Sequence, residues 1–469
     1  MSHQVFVNRT LNYRKVKWIG LDMDHTLVRY DTEAFERLAY QIMLKKLTEE
    51  KQYPEQIKDL KFDINSVIRG LVLDTQKGNL LQVSRHGAIR ASRHGTQKIG
   101  FKEQQRSYRG TYVDLSKPEF SSIDTAFSLS VAALFAQLVD LTDSLPNWTI
   151  DYGTLRHDIV EVMDMSHRDD SIKSIVRSNL DQYIIKEPEV ATGLERLKKH
   201  GKKLFILTNS DFHYTNTLLK FALDPYLKEH KSWMDLFEYT ITSARKPRFF
   251  YNKTDFLLVN PDNGTMTNYD APLEPGIYQG GGAEHFEKSI GAHGEDILYI
   301  GDHIYGDIVR LKKDCRWRTG LVIDELKSEI EQMKQAMPIQ DEINLLMREK
   351  SKIEAQHVEA VTNEIENELG ESKETMALQD KINDLDGEIG PKIRKINELF
   401  NEAWGEIMRS GNEESYFAHQ VDRYADIYMP QLSDLLGVSP RTYFRANLPK
   451  GVSWHVLRIL TPLIILITQ

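Results

Sequence analysis

A parallel-sheet α/β core with a large insertion after its first strand and a helical C-terminal region is the fold class predicted by three features of the sequence. Short apolar runs at 16–21, 204–207 and 297–300 each empty into carboxylates or hydroxyls. Roughly 190 residues separate the first of these runs from the motif that follows the second. Beyond 326 the pattern changes to charged residues with apolar positions three or four apart. Active sites of parallel α/β sheets lie at the carboxyl ends of the strands, so the residues just past each run are the candidates.

The first run lies in VKWIGLDMDHTLVRY, 16–30, and ends in Asp22, Asp24 and Thr26. Side chains alternate along a strand, so Asp22 and Asp24 leave its end on the same side, close enough to share a cation. Two such carboxylates repel, and a hard cation such as Mg²⁺ is the usual means of keeping both ionised. In 34–47, Phe35, Leu38, Ala39 and Ile42 fall at helical spacing, which predicts an amphipathic helix. Apolar stretches over 69–95 alternate with Lys77-Gly78-Asn79 and His86-Gly87. These predict a β-meander with His86 and His94 as turn residues. Segments 124–145 and 154–180 are predicted helical, the first apolar enough to be largely buried. An insertion of this size predicts a mixed α/β cap closing over the site, mostly residues 37–186, with 1–36 and 187–326 forming the core.

The core resumes in LERLKKHGKKLFILTNSD, where a helix ends at Gly201 and a strand delivers Thr208 and Asn209. In SARKPRFF, 243–250, Pro247 biases Lys246 toward an extended loop. In EDILYIGDHIYGDI, 295–308, a strand passes through Gly301, read as a tight turn, to Asp302 and Asp307. These supply the further acidic residues that a Mg²⁺ site beside Asp22 requires. Ile330, Met333 and Met337, then Ile393, Ile396, Leu399, Ala403 and Ile407, mark helical stripes with breaks at Pro338, Gly370 and Gly390-Pro391. Helical hairpins are predicted, their stripes serving as packing faces or an oligomer interface, and 327–469 is assigned to a helical extension packing on the core. The last dozen residues are apolar but interrupted by Arg458 and Pro462. They fall short of the roughly 20 needed to cross a bilayer, which leaves a buried tail or an interfacial segment.

A chain of 469 residues suits two or three domains. Hydrophobic residues at 41% and charged residues at 28% fit a soluble globular protein. The single cysteine, Cys315, excludes an intrachain disulfide framework and a cysteine zinc site, and fits a reducing compartment. A net charge of −9 argues against nucleic acid as the main partner. The start, MSHQVFVNRT, lacks the apolar stretch of a signal peptide. A cytoplasmic protein without a transmembrane segment is expected.

The four motifs occur in the order seen in the haloacid-dehalogenase-like phosphohydrolases, which they resemble. FVNRTL at 6–11, LDMDHTL at 21–27, RGLVLDTQKGNLL at 69–81, LTNSD at 207–211, ARKPRFF at 244–250, DILYIGDHIYGDI at 296–308 and QVDRYADIY at 420–428 resemble one branch more narrowly. That branch is the cytosolic purine 5′-nucleotidases of the IMP/GMP-preferring type, and the likeness runs to about residue 445. It implies a Rossmann-like, haloacid-dehalogenase-type core and a Mg²⁺-dependent phosphomonoesterase with an aspartyl-phosphate intermediate. By the resemblance, Asp22 attacks phosphorus. Asp24 protonates the leaving O5′ and later takes a proton from water. Asp22, the Asp24 carbonyl and Asp302 hold the metal with support from Asp307, while Thr208, Asn209 and Lys246 bind the phosphoryl oxygens.

For the base, the resemblance implies stacking on Phe127, with Ser128 beside it, and edge reading by Asp164, His167 and Lys173. A carboxylate can accept from the purine N1–H, which IMP and GMP have and AMP lacks. Two positions depart from the family: Val160 stands where an arginine is expected and Ser128 where an asparagine is. Purine nucleotide activation by GTP or ATP is also implied, through Asp124, Tyr305, Lys313, Gln420, Arg423 and Tyr424. So are a homo-oligomer and transfer of phosphate to a nucleoside acceptor.

Overall fold

The first apolar run becomes an inner strand of a ten-stranded sheet, and its neighbours explain why distant motifs meet. The computed structural model describes residues 3–370 and 372–446. Strand Trp18–Leu21 lies between Lys203–Leu207 and Ile297–Gly301 and runs parallel to both, with Leu21 level with Ile206 on one side and Ile300 on the other. Asp22, Thr208 and Asp302 therefore leave three adjacent strands at the same end. Beyond Lys203–Leu207 come the parallel strands Tyr239–Thr242 and Gly276–Gly280, then an antiparallel edge hairpin, Phe256–Val259 and Met266–Tyr269. Past Ile297–Gly301 lie the parallel strands Arg318–Val322 and Ile427–Met429, and Phe6–Val7 closes that edge antiparallel.

Strands covered on both faces read as unbroken apolar runs, as these do. Phe205 packs against Trp18, Phe286, Tyr299 and Trp317 to form the aromatic centre of the core. Gly20 makes room for it, because a Cβ there would sit 2.2 Å from the Phe205 ring. Gly301 has a related role. It is the last strand residue rather than a left-handed turn, and a Cβ on it would lie 2.4 Å from the Asp307 carboxylate. Its need is space for Asp307, where the sequence reading placed a turn.

Within the insertion, strands over 72–122 form a five-stranded antiparallel sheet, consistent with the meander. His86 lies in a turn, but His94 ends strand Ile89–His94, its ring bonded to Asn79 Oδ1 (2.8 Å) and Asp143 Oδ2 (2.7 Å). Helices Thr32–Glu49, Leu129–Ser144 and Tyr152–Arg168 pack on one another. Residues Ala126–Ser144 are long and apolar enough to cross a bilayer. Leu134, Phe135, Leu138 and Val139 are nonetheless fully enclosed, which is the pattern of a core helix.

Residues 325–406 form a separate compact unit, while 407–446 belong to the same unit as the sheet. The expected extension over 327–469 is thus divided. Strand Ile427–Met429 was missed because three residues carry no readable period. Inside the separate unit, helices Leu326–Glu366 and Lys373–Asn397 run antiparallel, joined by ion pairs that include Lys350 to Asp386 (2.5 Å). Pro338 and Pro391 lie inside these helices and do not break them. Each proline removes one hydrogen bond and costs roughly 3 kcal/mol, which burial of Ile343, Ile382, Leu385 and Ile389 along the pair offsets. Leu399, Ala403 and Ile407 of the predicted stripe lie past the end of the second helix. The apolar C-terminal tail lies outside the described residues.

Candidate active site

Three carboxylates, Asp22, Asp302 and Asp307, converge with their oxygens within 4.8 Å of one another, and all three are buried. Strand register brings Asp22 beside Asp302. Asp307 is returned to them by a single π-helical turn, Ile304–Val309, and its carboxylate accepts the His303 amide at 3.2 Å. Lys246 reaches in from the loop after Tyr239–Thr242. Its Nζ is 2.8 Å from Asp22 Oδ1 and 2.7 Å from Asp307 Oδ1, and it donates to Tyr299 Oη at 2.9 Å.

One ammonium cannot balance three enclosed carboxylates. Burial holds Asp22 well above the usual carboxylate range; Lys246 opposes the shift, while Asp307, Asp302 and Asp24 add to it. Burial pushes Asp302 up to about 7, with Asp307 adding and Arg69, Lys246 and Thr125 opposing. Burial alone would depress Lys246, yet Asp22 and Asp307 outweigh it and hold the ammonium charged. A cluster of hard oxygen donors with surplus negative charge fits a divalent cation such as Mg²⁺.

Asp24 is not one of these three clustered carboxylates. Tyr30 donates to its Oδ1 at 2.6 Å and Ser210 to its Oδ2 at 2.8 Å, while the Tyr30 and Tyr214 hydroxyls lie 3.0 Å apart. Burial raises its pKa, and these two donors, Lys173 and Lys246 oppose the rise. Thr208 is fully enclosed at the tip of its strand, its hydroxyl oxygen accepting from Ser210 N at 3.0 Å. The Asn209 side chain accepts from Lys246 N (2.6 Å) and donates to Lys246 O (3.2 Å). The amide thus fixes the main chain that carries the lysine.

An aromatic wall stands beside Asp24. The Phe127 ring meets His25 at 4.3 Å, Phe35 at 5.1 Å, Tyr30 at 6.0 Å and His167 at 6.3 Å. Burial lowers His25 to about 3 and His167 to about 4, so both rings are neutral at pH 7. Ser128 is half-buried next to Phe127, and Asp164 is exposed on the same helix as His167. Lys173 is a charge neighbour of His167 but is paired elsewhere. Its Nζ is 2.7 Å from Asp211 and 5.2 Å from the Tyr214 ring, on the Asp24 side.

The effector candidates also gather. Tyr305 has Asp124, Tyr416 and Tyr424 as electrostatic neighbours, and Lys313 Nζ and Arg423 Cζ each lie 5.4 Å from the Tyr424 ring. Gln420 is buried on the helix, Tyr416–Tyr424, that links two of these tyrosines.

Residues 5–453 match the 5′-nucleotidase family. The chain belongs to that family. A 5′-nucleotidase domain-containing protein of Dictyostelium discoideum is 28% identical over 445 residues, covering 92% of this chain and 71% of the relative. A crystal structure of CbbY from Rhodobacter sphaeroides in complex with phosphate covers 66% of this chain and 86% of that one at 11% identity. Its TM-score is 0.24, too low to bear on the fold or the site. Family membership makes this 5′-nucleotidase a phosphomonoester hydrolase acting on nucleotides.

Several residues at the site escaped the sequence reading. Tyr299 bridges Lys246 and the Leu207 carbonyl, to which it donates at 2.9 Å, but in ILYIG it reads as one more core side chain. Ser210 and His25 sit inside the LTNSD and LDMDHTL motifs and could have been found there. Tyr30, Tyr214, Tyr416 and Thr125 carry no local signal.

Proposed function

We propose that this enzyme is a Mg²⁺-dependent 5′-nucleotidase of haloacid-dehalogenase type that hydrolyses 6-oxopurine nucleoside monophosphates, IMP and GMP, through an aspartyl-phosphate on Asp22. The observation that carries the reading is the meeting of Asp22, Asp302, Asp307 and Lys246 at the carboxyl end of one parallel sheet, with Asp24 held by two hydroxyls.

Asp22, Asp302 and Asp307 are the residues that would hold Mg²⁺, which when bound supplies positive charge against the carboxylates and the phosphoryl oxygens. In the first step the Asp22 carboxylate attacks phosphorus in line and the bond to O5′ breaks. Asp24 gives its proton to the departing O5′ and, as a carboxylate, then takes one from the water that cleaves the acyl phosphate. Lys246 and the Thr208 hydroxyl meet the charge spread over the equatorial oxygens. Asn209 acts by holding Lys246 in place. The base stacks on Phe127 beside neutral His167, and Asp164 reads its N1–H. Purine nucleotides bind around Tyr305 and Tyr424 and act through the π-turn that carries Asp307.

Phosphate release from IMP, GMP, AMP and ribose 5-phosphate, with and without GTP, tests these points together. Preference for IMP and GMP, loss of activity on chelation and its return with Mg²⁺ are expected. Comparable turnover of IMP, AMP and ribose 5-phosphate would remove the purine reading. A rate on IMP indifferent to both GTP and ATP would remove the effector site.

A further inference from the structure

Glu36 is buried on helix Thr32–Glu49, only 1% exposed, and no step of the chemistry uses it. Its Oε2 accepts the Ser130 amide at 2.6 Å. Ser130 lies in the first turn of helix Leu129–Ser144, where backbone N–H groups have no partner within the helix. Such groups are usually met by the N-cap side chain, but Ser128 at that position makes no capping bond. A carboxylate from another helix takes its place, favoured also by the positive end of the helix dipole.

The chain just before Ser130 is fixed at its other end as well. Thr125 donates its hydroxyl to Asp302 Oδ2 at 3.1 Å, and Thr125 Oγ1 in turn accepts from Phe127 N at 3.4 Å. Residues 125–130 therefore form a strap strung between two buried carboxylates, one of them in the acidic cluster, with Phe127 midway. Phe35, the neighbour of Glu36 in sequence, packs on the Phe127 ring at 5.1 Å. One helical turn thus grips both the ring and the start of the helix behind it.

We infer that Glu36 is a positioning residue for nucleobase recognition: by anchoring the Ser130 amide it sets the height and tilt of Phe127 over the site. The inference rests on the proposed stacking of the base on Phe127. A Glu36→Ala variant loses the acceptor and leaves a buried N–H unmet, a defect local to the strap. The KM for IMP rises about tenfold with kcat within about threefold, whereas kcat/KM for ribose 5-phosphate, which has no base, stays at the wild-type value. Glu36→Gln keeps an acceptor oxygen and restores most of the IMP affinity. Ser130→Pro, which removes the donor at the second residue of the helix, where no carbonyl of the same helix accepts it, gives the Glu36→Ala signature and serves if that variant does not fold.

Phe127→Ala, assayed alongside, separates the two levels of the argument. If it discriminates IMP from ribose 5-phosphate while the Glu36 and Ser130 variants treat both substrates alike, the role of Glu36 is overturned and base stacking stands. If Phe127→Ala itself treats both alike, the stacking reading falls and the inference falls with it.

Discussion

The acidic cluster and the aromatic wall are built by different means. Asp22 and Asp302 extend adjacent strands whose register the sheet's hydrogen bonds fix, so little freedom remains in where their carboxylates lie. Phe127 stands on a short turn held by its own N-cap Thr125 and by side chains from other elements, Glu36, Phe35 and His25. On the proposed function, chemistry that every substrate needs is placed on the strand-set part, and recognition that differs between substrates on the part set by side chains. Backbone-set geometry tolerates substitution in its surroundings; side-chain-set geometry changes with each neighbour.

The largest effect should come from the strand-set part. Asp22→Asn keeps the shape but removes the attacking oxygen, and turnover of every phosphomonoester should fall by about 10⁴-fold or more. It also removes one of three crowded carboxylates, so the thermal midpoint should hold or rise. Lys246→Ala is expected to behave differently on both counts. Loss of its charge should lower kcat by roughly 10²- to 10³-fold, about 3–4 kcal/mol of transition-state stabilisation. With the ammonium gone, Asp22 and Asp307 lose the cation they share, and denaturant unfolding should show a loss of about 3–5 kcal/mol. If both variants shifted stability in the same direction, the charge imbalance described for the cluster would be wrong.

The two parts also differed in how far the sequence disclosed them. Asp22, Asp302 and Thr208 were legible because a buried strand ending in polar residues is a local pattern, and parallel topology brings such ends together; Lys246, in a loop, was picked out only by the company of the other motifs. What stayed hidden depends on packing. Tyr299 belongs to a strand covered on both faces, where no alternation marks the one side chain that turns its hydroxyl to Lys246. Asn209 was expected on phosphate because of its motif, but only the fold shows the Lys246 main chain within its reach. Glu36 reads as one more polar residue of an amphipathic helix until the start of another helix is found on it. The 326–397 hairpin was legible as helix, yet its prolines were taken as breaks because local propensity outweighs nothing that a sequence shows of the paired helix.

Lys173 gives the finest test of the division. The family resemblance places it with Asp164 and His167 on the base, whereas the structure pairs it with Asp211 and sets it near Asp24 and Tyr214 as well as His167. Its ammonium opposes the rise in the pKa of Asp24, and on the proposed mechanism that bears on the leaving group. Lys173→Met should therefore reduce kcat on IMP and on ribose 5-phosphate by the same factor. The pair with Asp211 is partly open to solvent, so the effect should be near 1 kcal/mol, roughly fivefold. A loss confined to IMP and expressed in KM would return Lys173 to the recognition side, and the boundary drawn between the two parts of the site would have to move to include it.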